Sequence, residues 1–270
     1  MKDVLTAPFM VEMIRTATNM YDHGWDERNG GNISLMLEEK EAAEYLDMGK
    51  VLRTIPTGFT APELEGKVFL VTGTGKYFKN VQYAPEVNLG IVRITASGDE
   101  AELLWGFTDG GQFTSEFAAH MMSHAARLEV NPDNRVYMHC HPTNLLAMTY
   151  VHELDERAFT RTLWQMCTEC VVVFPDGVSI LPCMVCGTNE LGIRTAEKMK
   201  TTRLVVWSQH GLGGMGNTLD EAFGLIETVE KAAEVYMKIA GLPRINTISD
   251  EIMQGLAERY GVTPKEGYLD

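Results

Sequence analysis

Apolar residues along the chain follow two periodicities, one typical of helices and one typical of strands. Apolar stripes at helical spacing, together with capping residues, predict helices over 7–23, 114–128, 144–151, 157–166, 188–199 and 218–240 and a last helix beginning at Ser249. Short apolar runs predict strands over 33–37, 68–71, 91–94, 103–107, 136–138, 171–174, 178–181 and 204–207. The alternation predicts one layered α/β domain over 1–270, while the charged segment before Gly66 carries no clear element.

Two segments are typical of turns or loops. Pro175-Asp176-Gly177 separates two apolar runs and predicts a hairpin, because Asp-Gly favours the tight turns of antiparallel strands. The glycine-rich segment 211–216 predicts a loop between a strand and a helix. Its glycine pattern matches a dinucleotide-binding motif, but the chain lacks the further strand that such a domain needs after the helix. We therefore expect no dinucleotide cofactor.

Composition and charge narrow the class of protein. Apolar residues make up 45% of the chain and charged residues 22%, and no apolar run is long enough to span a membrane. A net charge of −14 opposes binding to a phosphate backbone, which depends on clustered Lys and Arg. The N-terminus lacks the pattern of a secretory signal. We expect a soluble, cytoplasmic protein that binds neither nucleic acid nor membrane.

Three histidines carry the most informative chemistry. His139 and His141 close one apolar run, and His210 follows another. Side chains alternate between the faces of a strand, so His139 and His141 point to the same side and can chelate one ion. Three neutral imidazoles suit Zn²⁺ and leave its fourth position open for chemistry.

The cysteines suggest a second site. Cys167, Cys170, Cys183 and Cys186 form two Cys-x-x-Cys pairs with the spacing of a zinc ribbon, and the expected hairpin would bring both pairs to one end. A structural zinc, a redox pair and inert buried thiols all remain open as interpretations.

Five motifs, taken in order, resemble those of the class II aldolase/adducin-type family. They are Asn29-Gly30-Gly31-Asn32, Thr72-Gly73-Thr74-Gly75, Thr114-Ser115-Glu116, His139-Cys140-His141 and His210-Gly211. The resemblance covers nearly the whole chain. It implies an α/β fold in which helices flank a central, mostly antiparallel sheet.

The resemblance also implies a reaction and a metal site. It implies one Zn²⁺ per subunit, held by His139, His141 and His210, and reversible cleavage of L-rhamnulose 1-phosphate to dihydroxyacetone phosphate and L-lactaldehyde. Glu116 would transfer protons, while His120 and His124, which share its helical face and could form a different metal set, are expected to pack or to support the site. Chemistry agrees with a metal, because the enediolate left by the cleavage needs a Lewis acid or an iminium, and no predicted strand holds an interior lysine.

Binding residues and assembly are also implied by the resemblance. The phosphate-binding positions of the family match Asn29, Gly31, Asn32, Thr74, Gly75, Thr114 and Ser115. Glu169 matches an acidic residue that reaches across a subunit boundary to the aldehyde side of the site. The resemblance therefore implies an obligate homo-oligomer, expected to be a tetramer, with a sugar phosphate as its small-molecule partner.

Two other functions remain open at this stage. The same fold and metal could serve a fuculose-1-phosphate aldolase, an epimerase or a dehydratase. A non-catalytic, adducin-like interaction domain is the more remote alternative, because the metal ligands and Glu116 are intact.

Overall fold

The computed structural model describes residues 2–269, which form alternating helices and strands. The α-helices are α1 (Pro8–Asp22), α2 (Glu39–Ala43), α3 (Phe78–Val81), α4 (Pro85–Asn88), α5 (Phe117–Val130), α6 (Thr143–Val151), α7 (Glu156–Trp164), α8 (Cys170–Val173), α9 (Asn189–Met199), α10 (Leu219–Ile239) and α11 (Asp250–Tyr260). The strands are β1 (Asn32–Leu37), β2 (Arg53–Pro56), β3 (Val68–Thr72), β4 (Leu89–Ile94), β5 (Glu100–Gly106), β6 (Val136–Cys140), β7 (Ser179–Leu181), β8 (Leu204–Trp207) and β9 (Gly211–Gly216). Short 3-10 helices cover Val4–Thr6 and Pro62–Leu64. None of the helices within this described part has both the length and the apolar character that spanning a bilayer requires.

All nine strands belong to one sheet, in the order β2-β5-β4-β3-β1-β6-β9-β8-β7. The neighbouring strands are antiparallel except at one edge, where β7 runs parallel to β8. The sheet is therefore mixed but mostly antiparallel, and the expected α/β class is confirmed. Its centre holds β1, β6 and β9, whose ends carry most of the candidate site.

The sheet separates buried apolar clusters. The largest includes buried side chains of α1 and α10, such as Met13 and Ile226, while a second includes Phe117 and Met121 of α5. Several predicted helix starts are confirmed by their caps. Thr218 accepts a hydrogen bond from the Glu221 amide at 3.1 Å, and Ser249 accepts one from the Ile252 amide at 3.3 Å.

The hairpin predicted around Pro175-Asp176-Gly177 is wrong. Residues 170–173 form the short helix α8 instead of a strand, and β7 pairs in parallel with β8. The Asp176 carboxylate does not serve a hairpin turn, because it accepts hydrogen bonds from the Arg203 backbone and guanidinium, each at 2.7 Å. This ion pair ties the turn to the start of β8.

The glycine-rich segment predicted as a loop is the strand β9. It lies between β6 and β8, and all six of its residues are buried. A Cβ at Gly211 would lie 2.4 Å from the Cys140 carbonyl oxygen and 2.9 Å from the His139 ring. At this position glycine allows the strands β6 and β9 to approach closely, and it does not form a turn. The charged segment before Gly66 also contains an edge strand, β2, that the pattern did not predict.

Candidate metal centre and active site

The ends of two neighbouring strands bring the three histidines together. His139 lies in β6, His141 follows that strand, and His210 lies in the connection from β8 to β9. Strand β6 pairs with β9 from Val136 to Cys140, so the two segments meet at the same edge. The three ring centroids lie 4.9 to 5.3 Å apart, and one ligand nitrogen of each ring lies within 4.8 Å of the others. Among residues 2–269 this is the only such group of three metal-ligating side chains.

The hydrogen bonds of the rings leave nitrogen atoms available for an ion. His139 Nδ1 lies 3.1 Å from the Leu212 carbonyl oxygen and donates to it, while His139 Nε2 is buried with no hydrogen-bond partner among the described residues. His141 Nδ1 lies 3.0 Å from both carboxylate oxygens of Glu27. A carboxylate or carbonyl on the second nitrogen is the usual way in which proteins orient a metal-binding imidazole.

Burial keeps the imidazoles of His139 and His210 neutral, which is the form that binds a metal. Desolvation, and then the neighbouring His141 and His210, hold the pKa of His139 well below the ordinary histidine value. Desolvation and His141 lower the pKa of His210 to about 4, although Glu27 opposes the shift. The unpartnered buried nitrogen of His139 and the grouping of the three rings fit a divalent ion such as Zn²⁺.

Glu116 lies beside the histidines, at the residue that precedes α5. Its side chain is 8% exposed, and its carboxylate oxygens lie 3.5 Å from His139 Nε2 and 3.7 Å from His210 Nε2. Asn32 donates from Nδ2 to Glu116 Oε2 at 2.8 Å. Burial raises the pKa of Glu116, and the Asn32 hydrogen bond and His141 only partly offset that effect.

One cavity brings the expected phosphate-binding residues to the same place as the histidines and Glu116. The expected residues in its lining are Asn29, Gly31, Asn32, Thr74, Gly75, Thr114, Ser115, Glu116, His139, His141 and His210. Gly30, Gly73 and Cys186 complete the lining. None of the described residues that line the cavity is Lys or Arg. Any anion bound here would be held by amides, hydroxyls and backbone N–H groups.

The loop before β1 depends on glycine for its shape. Gly31 has a φ of +73°, and a Cβ there would lie 1.5 Å from the Asp26 carboxylate oxygen. A side chain at Gly31 is therefore excluded both by the backbone conformation and by the buried Asp26 beneath it.

Glu169 is not brought to this cavity within one chain. It lies at the surface, where its carboxylate accepts hydrogen bonds from Cys167 Sγ at 2.6 Å and from Thr168 Oγ1 at 3.0 Å. The zinc-ribbon interpretation of the four cysteines fails, because the hairpin does not form. Cys170 is buried, Cys167 is half-buried, and Cys183 and Cys186 are exposed.

Two features of the site were not identified in the sequence: Glu27 orients His141, and Cys186 lines the cavity. His120, expected to pack or to support the site, is hydrogen-bonded to Asn32 from inside the protein. Glu27 lies in the segment that precedes Asn29, but its spacing alone does not indicate a contact with a residue 114 positions away.

Comparisons with known proteins agree with this geometry. A family model described as the Class II Aldolase and Adducin N-terminal domain matches residues 11–237. The chain is 60% identical over 270 residues to a rhamnulose-1-phosphate aldolase of Listeria monocytogenes, covering 100% of this chain and 99% of the relative. It is 59% identical over 269 residues to a rhamnulose-1-phosphate aldolase of Enterococcus faecalis, covering 99% and 96%.

A solved structure extends the agreement to the fold. A sugar-phosphate aldolase from Thermotoga maritima matches with a TM-score of 0.75 and 30% identity, covering 87% of this chain and 96% of that one. The resemblance expected from the five motifs is confirmed. The chain belongs to the class II aldolase and adducin family.

Proposed function

We propose that this protein is a zinc-dependent aldolase that reversibly cleaves L-rhamnulose 1-phosphate to dihydroxyacetone phosphate and L-lactaldehyde. One observation carries the proposal: three grouped imidazoles and a buried carboxylate share one cavity with a set of uncharged hydrogen-bond donors. The 60% identity to a rhamnulose-1-phosphate aldolase supports this substrate over other sugar phosphates.

His139, His141 and His210 would hold the ion, and Glu27 and the Leu212 carbonyl would orient two of the rings. Bound there, Zn²⁺ supplies Lewis acidity that stabilises negative charge on the oxygen atoms of the substrate. The fixed rings supply a preorganised site, which costs no reorganisation when that charge develops.

Glu116 would transfer the protons of this reaction. In the cleavage direction its carboxylate accepts the proton of the C4 hydroxyl, the C4–O bond becomes a carbonyl, and the electron pair of the C3–C4 bond passes to an enediolate. A proton returned to C3 then completes dihydroxyacetone phosphate, so no net proton is gained or lost. Burial favours this role, because it raises the proton affinity of the carboxylate.

The phosphate would bind to uncharged groups that line the same cavity. Asn29, Asn32, Thr74, Thr114 and Ser115 supply amide and hydroxyl donors, and the turns at Gly31 and Gly75 allow the backbone to approach an anion. Donors of this kind would allow a chain of net charge −14 to bind a phosphorylated substrate without Lys or Arg in the cavity lining.

We further propose that residues 1–270 form one aldolase domain that assembles as a homotetramer. The continuous nine-stranded sheet supports a single domain. In the assembly Glu169 would act at the aldehyde side of a neighbouring subunit, which its exposed position allows.

Two measurements test the proposal together. Purified protein should contain about one zinc per chain and should cleave rhamnulose 1-phosphate faster than fuculose 1-phosphate or other ketose 1-phosphates. Full activity of metal-free protein would contradict the zinc role. A preference for another sugar phosphate would contradict the substrate while leaving the reaction class intact.

A further inference from the structure

A chain of buried polar side chains runs from Glu116 into the interior. Asn32 donates to Glu116, and its Oδ1 is hydrogen-bonded to His120 Nε2. His120 Nδ1 lies 2.7 Å from Ser34 Oγ, which lies 2.8 Å from His124 Nε2. These side chains come from β1, α5 and the residue before α5, so the chain connects the sheet to the helix that covers it.

This series of hydrogen-bonded side chains is shielded from solvent along its whole length. Ser34, His120 and His124 are 0% exposed, and Asn32 is 6% exposed. His124 Nδ1, at the inner end, has no hydrogen-bond partner among the described residues, and the His124 ring packs against Phe69. In such surroundings a polar group that loses its partner cannot turn to water instead, so the arrangement of hydrogen atoms is strongly constrained.

Donor and acceptor chemistry determines the direction of every bond. Asn32 donates from its NH₂ group to Glu116 Oε2, which leaves its Oδ1, an acceptor, facing His120 Nε2. His120 Nε2 must then carry a hydrogen. Complete burial opposes a charged imidazole, so His120 Nδ1 has no hydrogen and accepts from the Ser34 hydroxyl.

The same reasoning extends to the inner end. The Ser34 hydroxyl hydrogen is committed to His120, so Ser34 Oγ accepts from His124 Nε2. His124 is then neutral with a bare Nδ1, which matches the unpartnered position of that atom. All four bonds point from His124 toward Glu116.

We propose that His124, Ser34 and His120 form a unidirectional hydrogen-bond chain that holds the Asn32 amide with its NH₂ group toward Glu116. His120, Ser34 and His124 are thus positioning residues, which act through Asn32 on the proton-transferring carboxylate. The inference rests on the proposed role of Glu116 in the aldolase reaction.

The hydrogen-bond chain affects the site because the Asn32 amide could adopt either of two orientations of similar shape. Rotated by half a turn, Asn32 would place its carbonyl oxygen against the Glu116 carboxylate, and two acceptors would face each other. Only the donor on His120 Nε2 distinguishes the orientations from the inner side. Removing that donor should therefore allow the Asn32 amide to rotate, and Glu116 would then lose the hydrogen bond from its NH₂ group.

A neutron crystal structure of the deuterated, zinc-loaded protein tests the direction of the bonds without relying on activity. We expect deuterium on Nε2 and none on Nδ1 of both His120 and His124, with the Ser34 deuteron directed at His120. A deuteron on His120 Nδ1 with a bare Nε2 would overturn the proposal.

A matched pair of substitutions tests the consequence for catalysis. Glutamine extends about as far as imidazole Nε2, whereas asparagine extends only about as far as Nδ1. We expect His120→Gln to keep the donor to Asn32 and to hold kcat within about fivefold of wild type, and His120→Asn to lower kcat by about 10- to 100-fold. Equal kcat values in the two variants would contradict the chain.

Two buried serines provide the control for general effects on packing. Ser34 and Ser123 are both 0% exposed, and Ser123 Oγ has no hydrogen-bond partner among the described residues. Ser34→Ala should lower kcat with zinc content unchanged, whereas Ser123→Ala should leave kcat unchanged. A Ser34→Ala protein that loses only thermal stability, or changes only KM, would refute a positioning role.

The outcomes distinguish this inference from the proposed function. If the wild-type protein does not cleave rhamnulose 1-phosphate, the proposed substrate is wrong, while the neutron structure still decides the direction of the chain. If the wild-type enzyme is active and the deuterons or the kcat values contradict the expectations above, the chain is wrong and the aldolase proposal is unaffected.

Discussion

Acidification should destabilise the fold through His124, because this histidine is neutral and fully buried. Burial lowers its folded-state pKa to about 3, against 6.5 for an unperturbed histidine. Between these two values the unfolded chain binds a proton that the folded chain excludes. The contribution of His124 to stability is therefore intact above pH 6.5 and is lost progressively as the pH falls toward 3.

The size of this effect follows from the pKa difference. A pH of 5 is 1.5 units below the unfolded-state pKa of His124, and each unit corresponds to about 1.4 kcal/mol. His124 alone should therefore lower the free energy of unfolding by about 2 kcal/mol at pH 5 relative to neutral pH. His120, whose pKa burial and His124 also lower, acts in the same direction.

Urea denaturation of the wild type and of His124→Gln at pH 7, 6 and 5 measures this contribution. The same chain concentration and zinc concentration are used throughout, so that protonation of the metal ligands affects both proteins equally. The difference in unfolding free energy between the two proteins should shift by about 2 kcal/mol in favour of the variant between pH 7 and pH 5. Ser123→Ala, a non-titrating change on the same helix, should keep the wild-type pH dependence.

Parallel pH profiles for the wild type and His124→Gln would refute the reasoning. They would mean that His124 binds a proton equally well in the folded and unfolded states. The buried environment seen around its ring would then not be maintained in solution.

Three further changes have expected outcomes. Glu116→Gln should lower kcat by about 10²- to 10⁴-fold while the zinc content measured by atomic emission stays at the wild-type level; a mild loss would exclude Glu116 as the proton-transferring group. His139→Ala should reduce bound zinc and activity together, and an active variant with less zinc would contradict the proposed ligand set. Gly211→Ala should destabilise the protein by about 1–3 kcal/mol in urea denaturation, because its Cβ would lie 2.4 Å from the Cys140 carbonyl oxygen, whereas Gly241→Ala, with no neighbouring atom within 4 Å, should have little effect.

The sequence alone determined the features that depend on neighbours along the chain. Capping at Thr218 and Ser249 requires only a hydroxyl three residues before a free amide. The positions of His139 and His141 likewise follow from strand alternation, so the sequence predicted two of the three grouped imidazoles from spacing.

Only the tertiary structure decided features that depend on distant neighbours. The segment 211–216 looks like a loop until β6 and β8 are placed on either side of it, because glycine serves close packing as well as turns. The valines of 171–173 have strand propensity, yet they form the helix α8. The turn that follows is bound to Arg203 through Asp176 and does not form a hairpin.

The polar interior is the clearest case of the same limit. His120 and His124 were expected from the sequence to pack or to support the site, but the sequence contains no sign that Ser34 lies between them. These hydrogen bonds join atoms within about 3 Å of each other, whereas each bond links residues more than 80 positions apart in the sequence. The existence and direction of the hydrogen-bond chain become visible only when β1 is packed against α5.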